Sequence, residues 1–253
     1  IQRGDLAAFA KSHWVRGGMH IAVSGDVDAD TLKSLLASAF GKIPAKTPPA
    51  IAPVRHTGAP GVHVIAMPVP QPNIVFGLQG LARTDKDFLA AYVGNYILGG
   101  GGFASRLMDE VREKRGLTYD VSTDLTALRR GGLVIGQVAT RADAVNQTVK
   151  VVRDTIRRYV TDGPSQKELA DAKTYLTGSF PLAFGSNVGI AAQLNAFQRQ
   201  GLGPDYVAKR NALINAVTLN DVKRASKRIF VPARLTIVIA GTPSVPRPAP
   251  KKR

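Results

Sequence analysis

The sequence predicts an α+β fold, with helices packed on one face of a mostly antiparallel sheet. Two observations predict it. From residue 61 onward the elements read as two strands, two helices, two strands, several helices and one last strand. The chain is 44% hydrophobic over 253 residues, enough apolar material to bury a sizeable core.

Residues 5–16 are expected to form a helix, with Asp5 placed to cap it and Leu6, Phe9 and Ala10 at helical spacing. His20 to Ser24 is a short apolar run closed by Gly25-Asp26, which reads as a strand ending in a turn. A second helix starts at Asp28 or Asp30, carries the stripe Leu32, Leu35, Leu36 and Phe40, and stops at Gly41. Prolines 44, 48, 49, 53 and 60 then mark residues 44–60 as a linker. Residues 1–43 are too few to bury a core alone. They are expected to be the end of a domain that begins upstream of Ile1.

In the segment 61–241, expected to be the second domain, Val62–Met67 and Asn73–Leu78 read as strands. Phe88–Leu98 reads as a helix ending in four glycines, Gly99 to Gly102, and Ser105–Arg115 as another stopped by Gly116. Tyr119–Leu128 and Gly132–Thr140 form an expected hairpin joined at Arg129-Arg130-Gly131. Ala144–Val160 is a long amphipathic helix. Ser165–Ala183 opens with a capping box, Ser165 and Glu168. Further helices are expected over Val188–Gln200, Tyr206–Ala216 and Thr218–Ile229, and a last strand over Leu235–Ala240. Residues 242–253 are proline-rich and basic, and are expected to be disordered.

The net charge is +16. Such a field attracts polyanions, anionic surfaces or acidic peptides, and charge alone does not choose among them. Aromatic residues make up 6% and no nucleic-acid motif is present, so a nucleic-acid-binding module is the weakest reading. There is no cysteine, hence no disulfide framework or thiolate metal site. No apolar run approaches the ~20 residues of a membrane-spanning helix. A bacterial periplasmic or secreted setting suits this composition, with the cytoplasm left open.

Three segments carry a family likeness. Ile97-Leu98-Gly99-Gly100-Gly101-Gly102-Phe103-Ala104-Ser105-Arg106-Leu107 is one. It continues as Val111-Arg112-Glu113-Lys114-Arg115-Gly116-Leu117-Thr118-Tyr119, of the form R-E-x-x-G-L-x-Y. Glu168-Leu169 with Ala172-Lys173 is the third, joined by Val217-Thr218 with Asp221-Val222 and by the Gly25-Asp26-Val27 turn. In order and spacing these resemble the C-terminal domain of M16 (pitrilysin-type) zinc peptidases, preceded by the end of an N-terminal domain.

The resemblance implies an M16 peptidase-like fold and a clamshell whose related domains enclose unfolded peptides. It implies zinc on H-x-x-E-H in an N-terminal-type domain, with an Arg and a Tyr reaching across to hold the substrate. Arg112 and Tyr119 match that pair. The histidines are His13, His20, His56 and His63, and none begins such a motif or lies three to five residues from another. Zinc is therefore expected on an upstream segment or on a zinc-bearing M16 partner subunit, with an identical subunit as the other possible partner.

Arg112 offers a permanently charged fork of donors, and the Tyr119 hydroxyl can donate to a peptide carbonyl. Spacing by itself is better met by a surface ion pair and a half-buried strand tyrosine. The family motif reverses that preference. The run Gly99–Gly102 with Phe103 reads equally as a substrate contact or as a hinge between helices. Asp109, Glu110 and Glu113 among Arg106, Arg112, Lys114 and Arg115 read as a solvated, ion-paired helix face. His20 is expected to be structural, Trp14 to pack in the core of the domain that begins upstream of Ile1, and His13, His56 and His63 to be ordinary. A basic chamber wall that attracts acidic peptides or C-terminal carboxylates competes with a merely solvated basic surface. Two functions follow: a substrate-holding portion of an M16 peptidase, or an inert scaffold that keeps the fold for assembly.

Overall fold

A computed structural model describes residues 1–50, 52, 59–128 and 131–243. His56, the Arg129-Arg130 turn, part of the 44–60 linker and nearly all of the 242–253 tail lie outside the described residues. The chain divides into two compact units: Ile1–Pro53 with Ser179–Ala208, and Val54–Gly178 with Lys209–Arg253.

The second unit is built on a five-stranded sheet of β1 (Gly61–Ile65), β2 (Asn73–Gln79), β3 (Val121–Leu128), β4 (Gly131–Ala139) and β5 (Thr236–Ala240). The spatial order is β1-β5-β2-β4-β3. Only β1 with β5 is parallel, and the remaining pairings are antiparallel. The expected α+β architecture is the one observed.

Alternation sets the two faces. Ile74, Phe76 and Leu78 of β2, Val134 and Val138 of β4, and Ile237 and Ile239 of β5 point into the core. Val75, Leu133 and Ile135 stay exposed on the opposite face. The helices α3 (Phe88–Asn95), α4 (Val145–Asp162), α5 (Gln166–Gly178) and α8 (Leu219–Ile229) supply the buried layer. In α4 the residues Val145, Val149, Val152, Ile156 and Tyr159 form one buried stripe, and its end is marked by Gly163. Tyr159 is wholly buried, donates to the Gly94 carbonyl at 2.9 Å and meets Phe230 edge-on at 5.8 Å. Thr218 and Asp221 form a capping box at the start of α8. Arg224 and Arg228 of α8 both pair with Asp87 at the head of α3.

In the first unit α1 (Arg3–His13), α2 (Ala29–Phe40) and α6 (Asn187–Arg199) are the helices of eight residues or more that lie wholly within it. Asp28 caps α2 by accepting from Thr31 N–H at 2.8 Å. Residues 179–208, expected within 61–241, group with residues 1–53. The stretch expected as strand at His20–Ser24 is not one. Its carbonyls at His20 and Ile21 accept instead from the side chains of Asn195 (2.8 Å) and Gln198 (3.3 Å) of α6. A strand exists only through a ladder with a neighbour, and no described segment pairs with this one. Trp14, expected in the core of a domain that begins upstream, is 70% exposed in this chain.

The helix expected over Ser165–Ala183 is shorter. It ends at Gly178 and is followed by a 3-10 turn, Phe180–Phe184, with Pro181 in its first positions. The remaining helix, α7 (Tyr206–Ala216), has the expected bounds.

Candidate functional site

Of the predicted residues, Arg112 and Tyr119 line one cleft of about 400 Å³ in the second unit. The backbone that carries Arg112 is unusual. Met108–Glu113 is a π-helical turn, closed by the Lys114 N–H to Asp109 carbonyl bond at 2.9 Å. Such widened turns recur at functional sites. A second one, Tyr96–Gly100, replaces the end of the helix expected over Phe88–Leu98.

After Glu113 the chain reverses at Gly116, whose φ of 58° favours glycine. Gly116 N–H donates to the Arg112 carbonyl at 2.8 Å, and Leu117 N–H to that of Val111 at 3.0 Å. Leu117 is buried and anchors the turn. Two threonines pin it to the end of β4. The buried Thr140 hydroxyl donates to the Leu117 carbonyl at 2.6 Å. Thr118 shares its one proton between the carbonyls of Ala139 and Asp120, each at 2.7 Å. Tyr119 therefore precedes β3 rather than lying inside it, and it is 88% exposed. A half-buried strand tyrosine is not what the fold contains.

Arg112 is held but unspent. Its guanidinium lies over the Phe103 ring at 4.5 Å, and its nearest carboxylate oxygen, on Glu113, is 3.5 Å away. That is well beyond the ~2.7–2.9 Å of a charge-assisted hydrogen bond. One terminal nitrogen is buried with no hydrogen-bond partner. The neighbouring charges are otherwise engaged. Glu110, only 13% exposed, accepts from Lys114 (2.7 Å), Arg115 (2.9 Å) and Arg158 (2.7 Å). The hydrogen bond from Lys114, working against burial and aided by Arg158 and Arg115, holds its carboxyl at about 2. The expected ion-paired helix face is present, with Glu110 more buried than a solvated face implies.

The glycine run does not line this cleft. Gly99 is packed so closely that a Cβ there would meet the Thr123 hydroxyl at 2.5 Å and Leu107 at 2.9 Å. Gly100 and Gly101 crowd Asn95 and Tyr96 in the same way. Phe103 adjoins the cleft through its stacking on Arg112. Sequence reasoning passed over Gln71 and Arg141, which also line the cleft. No local signal marks either. Gln71 sits between two prolines, and Arg141 follows directly on Thr140.

The resemblance implies zinc in the parent protein, and the residues present do not fit it. Among the described residues no three His, Cys, Asp or Glu side chains group as a metal site needs. No helix among them is long and apolar enough to cross a membrane.

Comparisons with known proteins point to one family. The family model for the peptidase M16 inactive domain matches residues 1–176. A protein of Streptomyces coelicolor named an uncharacterized zinc protease is 29% identical over 232 residues, which is 89% of this chain and 50% of that protein. A Helicobacter pylori protein named a non-peptidase homolog is 33% identical over 110 residues, 44% of this chain and 24% of its own length. The crystal structure of a peptidase M16 inactive domain from Pseudomonas fluorescens superposes with a TM-score of 0.89 at 33% identity, covering 98% of this chain and 59% of that one. The chain spans about half the length of the Streptomyces relative. With the family model matched over more than half its length, the chain belongs to the peptidase M16 family, as its inactive domain.

Proposed function

We propose that the second unit holds extended peptides in the Arg112–Tyr119 cleft, on behalf of a zinc centre carried by another segment of the longer protein or by an M16 partner subunit. The observation that carries this reading is that Arg112 and Tyr119 line one cleft, with a buried terminal nitrogen of Arg112 that makes no hydrogen bond among the described residues and only a 3.5 Å ion pair with Glu113. Leaving such a donor unmade costs roughly 1–3 kcal/mol. Turning the guanidinium, 31% exposed as a side chain, toward a bound peptide carbonyl removes that cost. The exposed Tyr119 hydroxyl supplies a second donor, and the Gly116–Thr118 turn, pinned to β4, keeps the two in register. Within this proposal residues 1–43 are the end of an N-terminal-type domain and residues 61–241 are the C-terminal-type domain.

In this role Arg112 and Tyr119 orient a backbone and donate to oxygens on which charge builds, while this chain supplies no metal ligand. Removing one such donor costs about 10²-fold in turnover. Arg112→Ala in the full-length protein, with its partner where one exists, is therefore expected to lower kcat/KM on an unstructured fluorogenic peptide by about that factor. Tyr119→Phe is expected to act in the same direction. Unchanged turnover in both variants refutes the role.

The non-peptidase name of the Helicobacter pylori relative favours a second reading, a scaffold that keeps the fold for assembly. Zinc content separates the two. A zinc-free full-length protein with no zinc-bearing partner supports the scaffold.

A further inference from the structure

We infer that the cleft selects a carboxylate on the bound peptide, and that Arg141 is the residue that determines this preference. The inference rests on the peptide-holding role proposed above and names the substrate class for it. Backbone holding is met by Arg112 and Tyr119 alone. Arg141 is a second guanidinium on the same cleft, brought there by the β4 register and by the Thr140–Leu117 hydrogen bond. Its side chain is 72% exposed, and its one hydrogen bond runs from Nε to Asp143 at 3.1 Å. Among the described residues neither terminal nitrogen of Arg141 makes a hydrogen bond, and the part-exposed Arg112 guanidinium makes none either, its buried terminal nitrogen lying 3.5 Å from Glu113.

A peptide carbonyl is a neutral acceptor and needs no second arginine. Two guanidinium forks around one cleft match a carboxylate, which accepts bidentate pairs. The one carboxylate on the lining, Glu113, lies 3.5 Å from Arg112 and is 54% exposed. It leaves the cleft positive by one charge (Arg112 and Arg141 against Glu113). The volume of about 400 Å³ falls within the usual range for ligand pockets, ~300–1,000 Å³. The net charge of +16 brings acidic peptides to the surface from a distance, and Arg141 gives the discrimination on arrival. The carboxylate has two sources, an Asp or Glu side chain and a peptide C-terminus.

The test uses the full-length protein with chelator present, so that binding is read without cleavage. Fluorescein-labelled unstructured peptides, alike except for one Glu or Gln and for a free or amidated C-terminus, are titrated by anisotropy. The wild type is expected to bind a carboxylate form about 10-fold more tightly than the fully amidated Gln peptide, roughly the effect of one charge-assisted pair. The Glu/Gln and acid/amide arms identify the source. Arg141→Gln is expected to bring that ratio within twofold and leave the amidated Gln peptide unaffected. Lys167→Gln, the same charge loss at a site 84% exposed on α5, is expected to preserve it.

Equal affinity for all four peptides, with binding still lost in Arg112→Gln, overturns the carboxylate inference and leaves the peptide-holding role standing. Equal loss of the preference in the Lys167 variant also overturns it, since a general field then explains the preference. Affinity unaffected by Arg112→Gln refutes the peptide-holding role, and the inference with it.

Discussion

Glu168 offers a stability test whose size can be worked from the structure. Arg106 meets it through two nitrogens, at 2.6 and 2.8 Å, and also donates to the Gly163 carbonyl at 2.9 Å. The two side chains are 27% and 29% exposed, so solvent screens the pair less than a surface bridge. Burial pushes the Glu168 carboxyl up. Hydrogen bonds from Arg106 and from the backbone and hydroxyl of Ser165 outweigh burial and hold it at about 2, against an ordinary 4.5. At about 1.4 kcal/mol per pH unit, that lowering contributes roughly 3 kcal/mol. A carboxyl depressed in the folded state binds fewer protons than in the unfolded chain. Its contribution is complete above pH 4.5, falls as the pH drops, and is gone below about 2. Glu168→Gln imitates the protonated form at every pH. Urea unfolding of both proteins between pH 7 and pH 2.5 is therefore expected to show a gap of roughly 3 kcal/mol that narrows steadily below pH 4.5. A gap below 1 kcal/mol at pH 7, or one that does not change with pH, refutes the reasoning.

Two further outcomes follow from packing and from the pinned turn. Gly136→Ala places a Cβ 2.1 Å from the ring of buried Phe76 and is expected to cost about 1–3 kcal/mol by overpacking, read as a lowered urea midpoint. Thr140→Val removes the donor to the Leu117 carbonyl and is expected to cost about 1–2 kcal/mol. It is also expected to weaken peptide binding several-fold, because the turn that carries Tyr119 loses an anchor.

The β2 strand was legible as a short apolar run and β3–β4 as a hairpin joined at Arg129-Arg130-Gly131, while the face each residue takes was not, because the outward Val75 and Ile135 are as apolar as the buried Ile74 and Val134. The helix stop at Gly41 and the caps at Asp28 and Thr218 were legible because each is local chemistry. The pairing of Arg112 with Tyr119 came from the R-E-x-x-G-L-x-Y motif. Their sharing one cleft depends on Gly116 and Thr140, and Thr140 is distant in sequence from the turn it pins. Arg141 was invisible for that reason: the β3–β4 register brings it to the cleft, and no local pattern encodes that register. The run His20–Ser24 has a strand's composition, but composition does not supply a partner strand. Residues 179–208 have a helix's periodicity, which is silent on the unit they join.

The most direct test of the central claim is the affinity of an unstructured peptide for metal-free full-length protein, wild type against Arg112→Ala. Circular dichroism and urea midpoints verify that both fold alike. Binding by the wild type without zinc, weakened 10-fold or more in the variant, is the predicted result, since one lost charge-assisted hydrogen bond is worth about 1.5–3 kcal/mol. Equal affinities in two equally folded proteins contradict the account.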